Sequence, residues 1–171
     1  MSDTQKIVIP STGQEYKIIR EAVTWSEAVA SSIVYGGNLA QFETNLEAQN
    51  FWDAFSSSEF YENLDQQVET SASDEGGTKY LWLGANDANT EGTWKWIQDF
   101  GEGVDLSIDN GGWGDSNFDD NKDSLALALE DWKDGLNEEI LGIAGQWNDL
   151  NSNTNKLYYL VEGPFEESDY P

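Results

Sequence analysis

The chain has 171 residues, the length of one medium-sized domain, and aromatic residues make up 13% of it, enough to fill a sizeable core. Its 33 acidic residues against 8 basic ones give a formal net charge of −25, which argues against nucleic acid and anionic membrane surfaces as partners. The lack of cysteine and histidine excludes disulfides, catalysis by thiolate or histidine, and the usual zinc sites. The metal ligands that this chain can offer are therefore hard oxygen atoms, which suit calcium or magnesium.

Two short β-favouring runs near the N-terminus predict a β-hairpin over residues 5–20. The runs KIVIP and EYKII are separated by the turn-like sequence STG. From Thr24 the spacing of apolar residues becomes helical, and Thr24 with Glu27 three residues later has the pattern of a capping box. The pair Gly36-Gly37 is expected to end this first helix.

A second helix is predicted to begin at Thr44, because Glu47 follows it in the capping-box position. Its expected apolar positions are Leu46, Phe51, Trp52 and Phe55. The polar, Ser- and Glu-rich stretch over about residues 56–79 predicts an insertion that is partly helical around residues 60–68.

The rest of the chain predicts short strands at residues 80–85, 93–97, 124–129 and 157–162. Segments rich in Gly, Asn and Asp separate them and form a predicted long-loop region over about residues 98–150. Two helices followed by short strands and long loops indicate a single α+β domain over residues 1–171, not an alternating α/β domain. The tryptophans expected in its core are Trp25, Trp52, Trp82, Trp94, Trp96 and Trp147.

Oxygen-bearing side chains occupy every second position from residue 115 to residue 123 (DSNFDDNKD). This alternation suits a loop around a cation, but Asp120 and Ala126 stand where an EF-hand needs Gly and a bidentate Glu. A solvated acidic loop is the alternative interpretation. Two further oxygen-rich clusters are Asn148-Asp149 in GQWNDL, and Asp87 with Glu91 four residues later.

Together these segments resemble the C-type lectin-like domain from about residue 24 to residue 162. TWSEAVASSIVYGGNLAQF is similar to the first helix of that family and the turn after it, and NLEAQNFW is similar to its second helix. LWLGANDANTEGTWKW is similar to the WIGL strand, QWNDL to the WND calcium motif and LYYLVEG to the closing strand. The resemblance implies a core over about residues 16–163, in which two helices pack on short antiparallel sheets beside a long calcium-binding loop region.

The resemblance also implies Ca²⁺ as the cofactor and assigns its ligands. The principal site of the family maps onto Asp115, Asn117, Asn148 and Asp149, where sugar hydroxyls coordinate the ion and hydrogen-bond to the same side chains. The auxiliary site maps onto Asp87, Glu91 and Asp123, and Asp119 is a further candidate ligand. Trp113 and Phe118 flank the acidic loop amid glycines, so we expect one of them either to stack on a sugar ring or to hold the loop in place.

The sequence departs from the family pattern at four positions, and at one of them Asp115 is a methylene group shorter than the glutamate of the family. Ser116 replaces the proline whose cis peptide bond orients the neighbouring carbonyls, and Lys122 stands where a downstream Glu ligand aligns. Ser124 stands where the family has a cysteine. Cysteine-free versions of the domain are familiar in bacterial proteins, which this chain resembles more.

Two binding functions follow from the resemblance. The first is a calcium-dependent carbohydrate-binding module of a larger bacterial adhesin, located outside the cell or on its surface and exported without a cleavable N-terminal signal. Asn117 favours the mannose or fucose class of sugar in that case. The second is a lectin-like domain that binds a protein or another surface, including ice, with calcium purely structural. Catalysis and membrane insertion are not expected, because no nucleophile motif, phosphate loop, metalloprotease signature or apolar segment of membrane-spanning length is present.

Overall fold

The computed structural model describes residues 4–42, 44–72, 77–86, 95–96, 124–133, 140–151 and 153–165. The helices in these ranges are α1 (Trp25–Val34), α2 (Asn45–Phe55) and α3 (Glu59–Glu62), with 3₁₀ turns at Leu64–Gln66 and Val68–Thr70. The strands are β1 (Thr4–Val8), β2 (Glu15–Val23), β3 (Asn38–Leu39), β4 (Ser71–Ala72), β5 (Thr78–Asn86), β6 (Lys95–Trp96), β7 (Ser124–Ala128), β8 (Trp132–Lys133), β9 (Ile140–Gly142), β10 (Trp147–Leu150) and β11 (Leu157–Glu162). The domain is therefore α+β, as the sequence predicts.

Most strands belong to one sheet, in the order β1-β2-β11-β5-β7-β10. Within this sheet β3 pairs with β11, and β4 and β6 pair with β5, while β8 and β9 form a separate two-stranded sheet. Neighbouring strands are antiparallel except for β11 and β5, which run parallel. The sequence predicts short antiparallel sheets, and β8-β9 is one in the described ranges, whereas the main sheet is large and mixed because β11 returns to its centre between β2 and β5.

The N-terminal hairpin predicted from the sequence is confirmed. Strands β1 and β2 pair from Thr4 opposite Ile19 to Val8 opposite Glu15. The turn is closed by the amide of Gly13, which donates to the carbonyl of Ile9 at 2.7 Å.

Both predicted helix starts are confirmed. The amide of Thr24 donates to Oε1 of Glu27 at 2.9 Å, and the amide of Glu27 donates to Oγ1 of Thr24 at 3.4 Å, which completes the capping box. In α2, Oγ1 of Thr44 accepts from the amide of Glu47 at 3.1 Å. Leu46 does not face the core as expected, and its side chain is 69% exposed.

The exposure of Leu46 follows from helix geometry. Phe51 and Phe55 form the buried face of α2, and both are almost fully buried. Leu46 precedes them by five and nine residues, which places it roughly 140° and 180° around the helix from that face at about 100° per residue. The sequence pattern therefore identified an apolar residue on the solvent side.

Both faces of the main sheet are packed. Leu81, Leu125 and Leu160 point to a cluster that includes Phe51 and Phe55 of α2. The adjacent Trp82, Ala126 and Val161 point to a second cluster that includes Ala28 of α1. Because successive residues of a strand face opposite sides, a sheet covered on both faces needs apolar residues in unbroken runs, as in SLALA and LYYLV. No helix in the described ranges is long and apolar enough to cross a membrane.

Of the tryptophans expected in the core, Trp82, Trp96 and Trp147 are buried, Trp25 and Trp52 are partly buried, and Trp94 lies outside the described residues. Trp132 is a further core residue, only 3% exposed, whose ring lies 6.1 Å from that of Tyr80. Its indole covers Gly142, where an added Cβ would lie 2.1 Å from the ring. Glycine at position 142 therefore lets this ring close over the β8-β9 pair.

Candidate functional site

The ends of β5, β7 and β10 meet at one end of the sheet. Asn86, the last residue of β5, pairs with Ser124, the first residue of β7. Ser124 in turn pairs with Leu150, the last residue of β10. Asn86 also pairs with Lys95 at the start of β6. One end of each of these three strands thus lies here, and we call this end of the sheet the β5-β7-β10 end.

Some candidate ligands lie in the strands of the β5-β7-β10 end or directly beside them in the sequence. Asp87 follows Asn86 directly in the sequence, and Asp123 directly precedes Ser124. Asn148 and Asp149 belong to β10 itself, opposite Ala126 and Leu125.

Strand β10 is fixed in place by Trp147, which is 1% exposed. The ring of Trp147 stacks on Phe42 with centroids 6.2 Å apart and meets Trp96 edge-on at 5.6 Å. Trp96 belongs to β6 and therefore lies beside the end of β5. The tryptophan of the QWNDL segment is thus a core residue that sets the position of the two polar residues after it.

Asn148 is buried, with 3% of its surface exposed. Its Nδ2 donates to the hydroxyl of Tyr80 at 3.0 Å, and its Oδ1 accepts from the amide of Asp149 at 2.9 Å. Tyr80 is a polar contact of the site that sequence reasoning missed. The sequence places it in a buried strand, but gives no sign that its hydroxyl meets a side chain 68 residues away.

Asp149 is equally buried, at 3% exposure, and points to the other face of the strand. Trp147, two residues earlier, belongs to the cluster with Phe42, whereas Leu150 belongs to the cluster with Tyr80. Alternation along β10 therefore places Asp149 on the Trp147 side and Asn148 on the Tyr80 side. The amide and the carboxylate of the motif lie next to each other in the chain but on opposite sides of the sheet.

The remaining candidate residues lie outside the described part of the chain, and their predicted roles stay predictions. They are Asp87, Glu91, Asp115, Asn117, Asp119 and Asp123 as metal ligands, and Trp113 and Phe118 as ligand contacts. Within the described ranges, no group of three or more acidic side chains is arranged to hold a metal ion. The donor chemistry of Asn148 and Asp149 suits Ca²⁺, which prefers carboxylate and amide oxygens.

No protein-family model and no curated protein matches the sequence. Solved structures do match it. The mouse scavenger receptor C-type lectin carbohydrate-recognition domain aligns with a TM-score of 0.56 and 17% identity, over 97% of this chain and 94% of that one.

Two antifreeze proteins are similar to the same extent. A Ca²⁺-dependent type II antifreeze protein in its Ca²⁺-free form aligns with a TM-score of 0.55 and 14% identity, over 96% of this chain and 99% of that one. A calcium-independent type II antifreeze protein aligns with a TM-score of 0.53 and 15% identity, over 87% of this chain and 85% of that one. At such low identity the similarities show the fold and leave the ligand to be argued from the residues.

Proposed function

The chain has the C-type lectin-like fold, and from that premise we propose that the domain binds a carbohydrate through a calcium ion. The observation that carries the proposal is the meeting of β5, β7 and β10 at one end of the sheet. Asn148 and Asp149 lie in β10, and Asp87 and Asp123 are the sequence neighbours of Asn86 and Ser124, which pair there. A calcium site with several protein ligands requires parts of the chain that are distant in the sequence to meet, as β5, β7 and β10 do.

In this proposal the ion is held by the ligand set that the family resemblance implies. The principal set is Asp115, Asn117, Asn148 and Asp149, with Asp119 as a further ligand, and the auxiliary set is Asp87, Glu91 and Asp123. A calcium ion at the principal set supplies a positive charge that coordinates sugar hydroxyls, for which we propose the mannose or fucose class. Trp113 or Phe118 would add an apolar face against the sugar ring.

The biological role we propose is adhesion. A net charge of −25 on 171 residues favours binding of cations in a calcium-rich setting outside the cell. We place the domain at a bacterial cell surface, within a larger adhesin, where it attaches the cell to glycans. Single-site affinity is expected to be of the order of a millimolar to tens of micromolar, and many copies would supply the strength. The proposal assigns the domain a binding role without catalysis.

The test is a glycan array probed with and without a calcium chelator, combined with thermal melts. Calcium at about 100 times its Kd stabilises a domain by about 2.7 kcal/mol, which corresponds to a rise in Tm of roughly 5–11 °C at this chain length. We expect mannose- or fucose-bearing glycans to bind in calcium only. Glycan binding that persists in chelator, with no free sugar competing, would refute the proposal.

The matched variants are Asp149→Asn and Asp65→Asn. Both remove one carboxylate charge without changing side-chain shape, but Asp149 lies in β10 and Asp65 is exposed in the 3₁₀ turn Leu64–Gln66. We expect Asp149→Asn to abolish calcium-dependent glycan binding and to reduce the calcium-induced rise in Tm. Asp65→Asn should leave both unchanged, which separates loss of a ligand from the general effect of net charge.

A second candidate function is supported by the contacts of Asn148. Its amide already bonds the Tyr80 hydroxyl and the Asp149 amide, on the opposite side of the sheet from the Asp149 side chain. Because the two side chains lie on opposite faces of β10, an ion bound by both would require one of them to turn, and turning Asn148 would break these bonds. This favours a lectin-like domain that binds a protein or another surface, including ice, with calcium only stabilising the fold. A calcium-induced rise in Tm without binding to any glycan would support this second function.

A further inference from the structure

A polar cleft of about 280 Å³ lies between the N-terminal hairpin and the polar insertion. We call it the insertion cleft, and the residues that line it include Gln5, Arg20, Glu59, Phe60, Asn63 and Gln66. Most of them come from the stretch over residues 56–79, to which the proposed calcium site assigns no role. The cleft adjoins β1, which is at the opposite edge of the sheet order from β10. It is therefore separate from the β5-β7-β10 end.

The chemistry of the lining suits a ligand with several hydroxyl groups. Amide side chains and a carboxylate each present two neighbouring hydrogen-bonding atoms in one plane. Two adjacent hydroxyls of a sugar ring have a matching spacing of donors and acceptors. Phe60 is only 2% exposed and packs on Phe55 and Tyr158, so it supports the wall from inside and the polar side chains supply the ligand contacts.

Two of the amides are held in place before any ligand binds. Nδ2 of Asn63 donates to the carbonyl of Glu59 at 2.9 Å, and Nε2 of Gln67 donates to the carbonyl of Asn63 at 3.2 Å. Gln67 also lines the cleft and is only 5% exposed. Within the described ranges, neither Oδ1 of Asn63 nor Oε1 of Gln67 accepts a hydrogen bond. Because the amide nitrogens are fixed, the two amide oxygens are fixed as well, so these side chains lose little conformational entropy when a ligand binds.

The charge and size of the cleft define the ligand class further. Among the described lining residues only Arg20 and Glu59 are charged, with opposite signs, so this part of the lining is close to neutral although the chain as a whole carries −25. Glu59 is the one carboxylate among the described lining residues, too few for a calcium ion that takes six to eight oxygen ligands. The volume is near the lower limit of small-ligand pockets, at roughly 300 Å³. We propose that the insertion cleft binds a neutral sugar ring without calcium, as a site independent of the proposed calcium site.

The experiment is an NMR titration of the ¹⁵N-labelled chain in excess EDTA, which removes any calcium-dependent binding. The probes are D-glucose, D-galactose, D-mannose and N-acetyl-D-glucosamine, each up to roughly 50 mM, because one small site of this kind is expected to have a millimolar Kd. We expect at least one sugar to cause saturable shifts of the backbone amides of Gln5, Asn63 and Gln66. The double variant Glu59→Ala/Gln66→Ala should weaken that binding about tenfold or more, because it removes two groups that bond the ligand.

The controls separate this site from misfolding and from the calcium site. Glu59 and Gln66 are exposed, so the double variant should keep the circular dichroism spectrum and Tm of the parent chain. Gln49→Ala changes an exposed glutamine of α2 that does not line the cleft, and it should bind as the parent does. Asp149→Asn should also leave binding in EDTA unchanged, whatever it does to calcium-dependent binding.

Three results would overturn the proposal. One is the absence of saturable shifts at the insertion cleft with all four sugars. Another is a double variant that binds as tightly as the parent chain. The third is that glycylglycine at the same concentrations causes saturable amide shifts at the cleft while none of the sugars does, since a peptide would then be its ligand.

Discussion

The change Thr70→Val tests how the polar insertion is attached to the sheet. Thr70 is fully buried, and its hydroxyl joins the two parallel central strands. Oγ1 donates to the carbonyl of Tyr80 in β5 and accepts from the amide of Tyr158 in β11 at 2.9 Å. Valine has nearly the same shape but replaces the hydroxyl with a methyl group, so the change removes both hydrogen bonds without creating a cavity.

The expected loss of unfolding free energy follows from the two groups that lose a hydrogen-bond partner, the amide of Tyr158 and the carbonyl of Tyr80. A buried amide left without an acceptor costs about 1–3 kcal/mol, and a carbonyl costs less because it has a second lone pair. We therefore expect the free energy of unfolding to fall by about 2–4 kcal/mol. At roughly 2–4 °C per kcal/mol for a chain of this length, Tm should fall by roughly 4–16 °C.

The assay is urea and thermal denaturation followed by tryptophan fluorescence and circular dichroism. Thr12→Val is the matched control, because the Thr12 hydroxyl accepts one exposed hydrogen bond from the amide of Gln14 at 3.2 Å. The control should change the free energy of unfolding by less than about 0.5 kcal/mol. Thr70→Ser keeps the hydroxyl and should be more stable than Thr70→Val. If Thr70→Val is no less stable than the control, the hydroxyl does not connect the strands as we argue.

Two further predictions concern close packing and pH. In Gly37→Ala the added Cβ would lie 2.1 Å from the carbonyl oxygen of Glu162. In Gly13→Ala the Cβ meets open space, and only the left-handed backbone adds about 1–2 kcal/mol of strain. Denaturation should therefore show a far larger loss of unfolding free energy for Gly37→Ala, and equal losses would contradict this. The Lys6 ammonium bonds the Glu15 carboxylate at 2.6 Å, and this bond is the main reason that the pKa of Glu15 lies below 4.5. The folded state therefore gains stability from the pair above pH 4.5, and this gain is lost as the pH falls through the lowered pKa. Melts of the parent chain and Glu15→Gln across this range should converge on acidification, and a constant difference would contradict the assignment.

Local signals in the sequence account for the parts of the fold that were predicted correctly. The capping box at Thr24 and Glu27 and the cap at Thr44 are formed within one turn of helix, so spacing alone reveals them. Strand β11 matches its predicted range of residues 157–162, because a strand between two others in a doubly packed sheet has an unbroken apolar run. Such features depend little on the rest of the chain.

Strand β10 was missed for the opposite reason. Its four residues include Asn148 and Asp149 in the middle, so it has neither an apolar run nor an alternating pattern. Pairing with β7 and the packing of Trp147 on Phe42 make it a strand, and both partners are distant in the sequence. The same long-range contacts decide that the two polar side chains lie on opposite faces. A motif can therefore identify candidate ligands without giving their directions.

Ser124, which the family resemblance aligns with a cysteine, is held in the sheet by burial and strand pairing. It is 2% exposed and pairs with Asn86 on one side and Leu150 on the other. A disulfide adds about 2–4 kcal/mol, largely by restricting the unfolded chain.

Aromatic packing near Ser124 contributes a comparable stabilisation. Phe42, Trp96 and Trp147 form three mutual ring contacts with centroids 5.6 to 6.5 Å apart. At about 0.5–1.5 kcal/mol per pair beyond burial, they contribute roughly 1.5–4.5 kcal/mol. Trp96 and Trp147 belong to β6 and β10, on the two sides of the β5-β7 pair, so the rings connect the elements around the β5-β7-β10 end. Packing acts only in the folded state, whereas a disulfide also restricts the unfolded chain, so this cysteine-free chain relies on its core for stability.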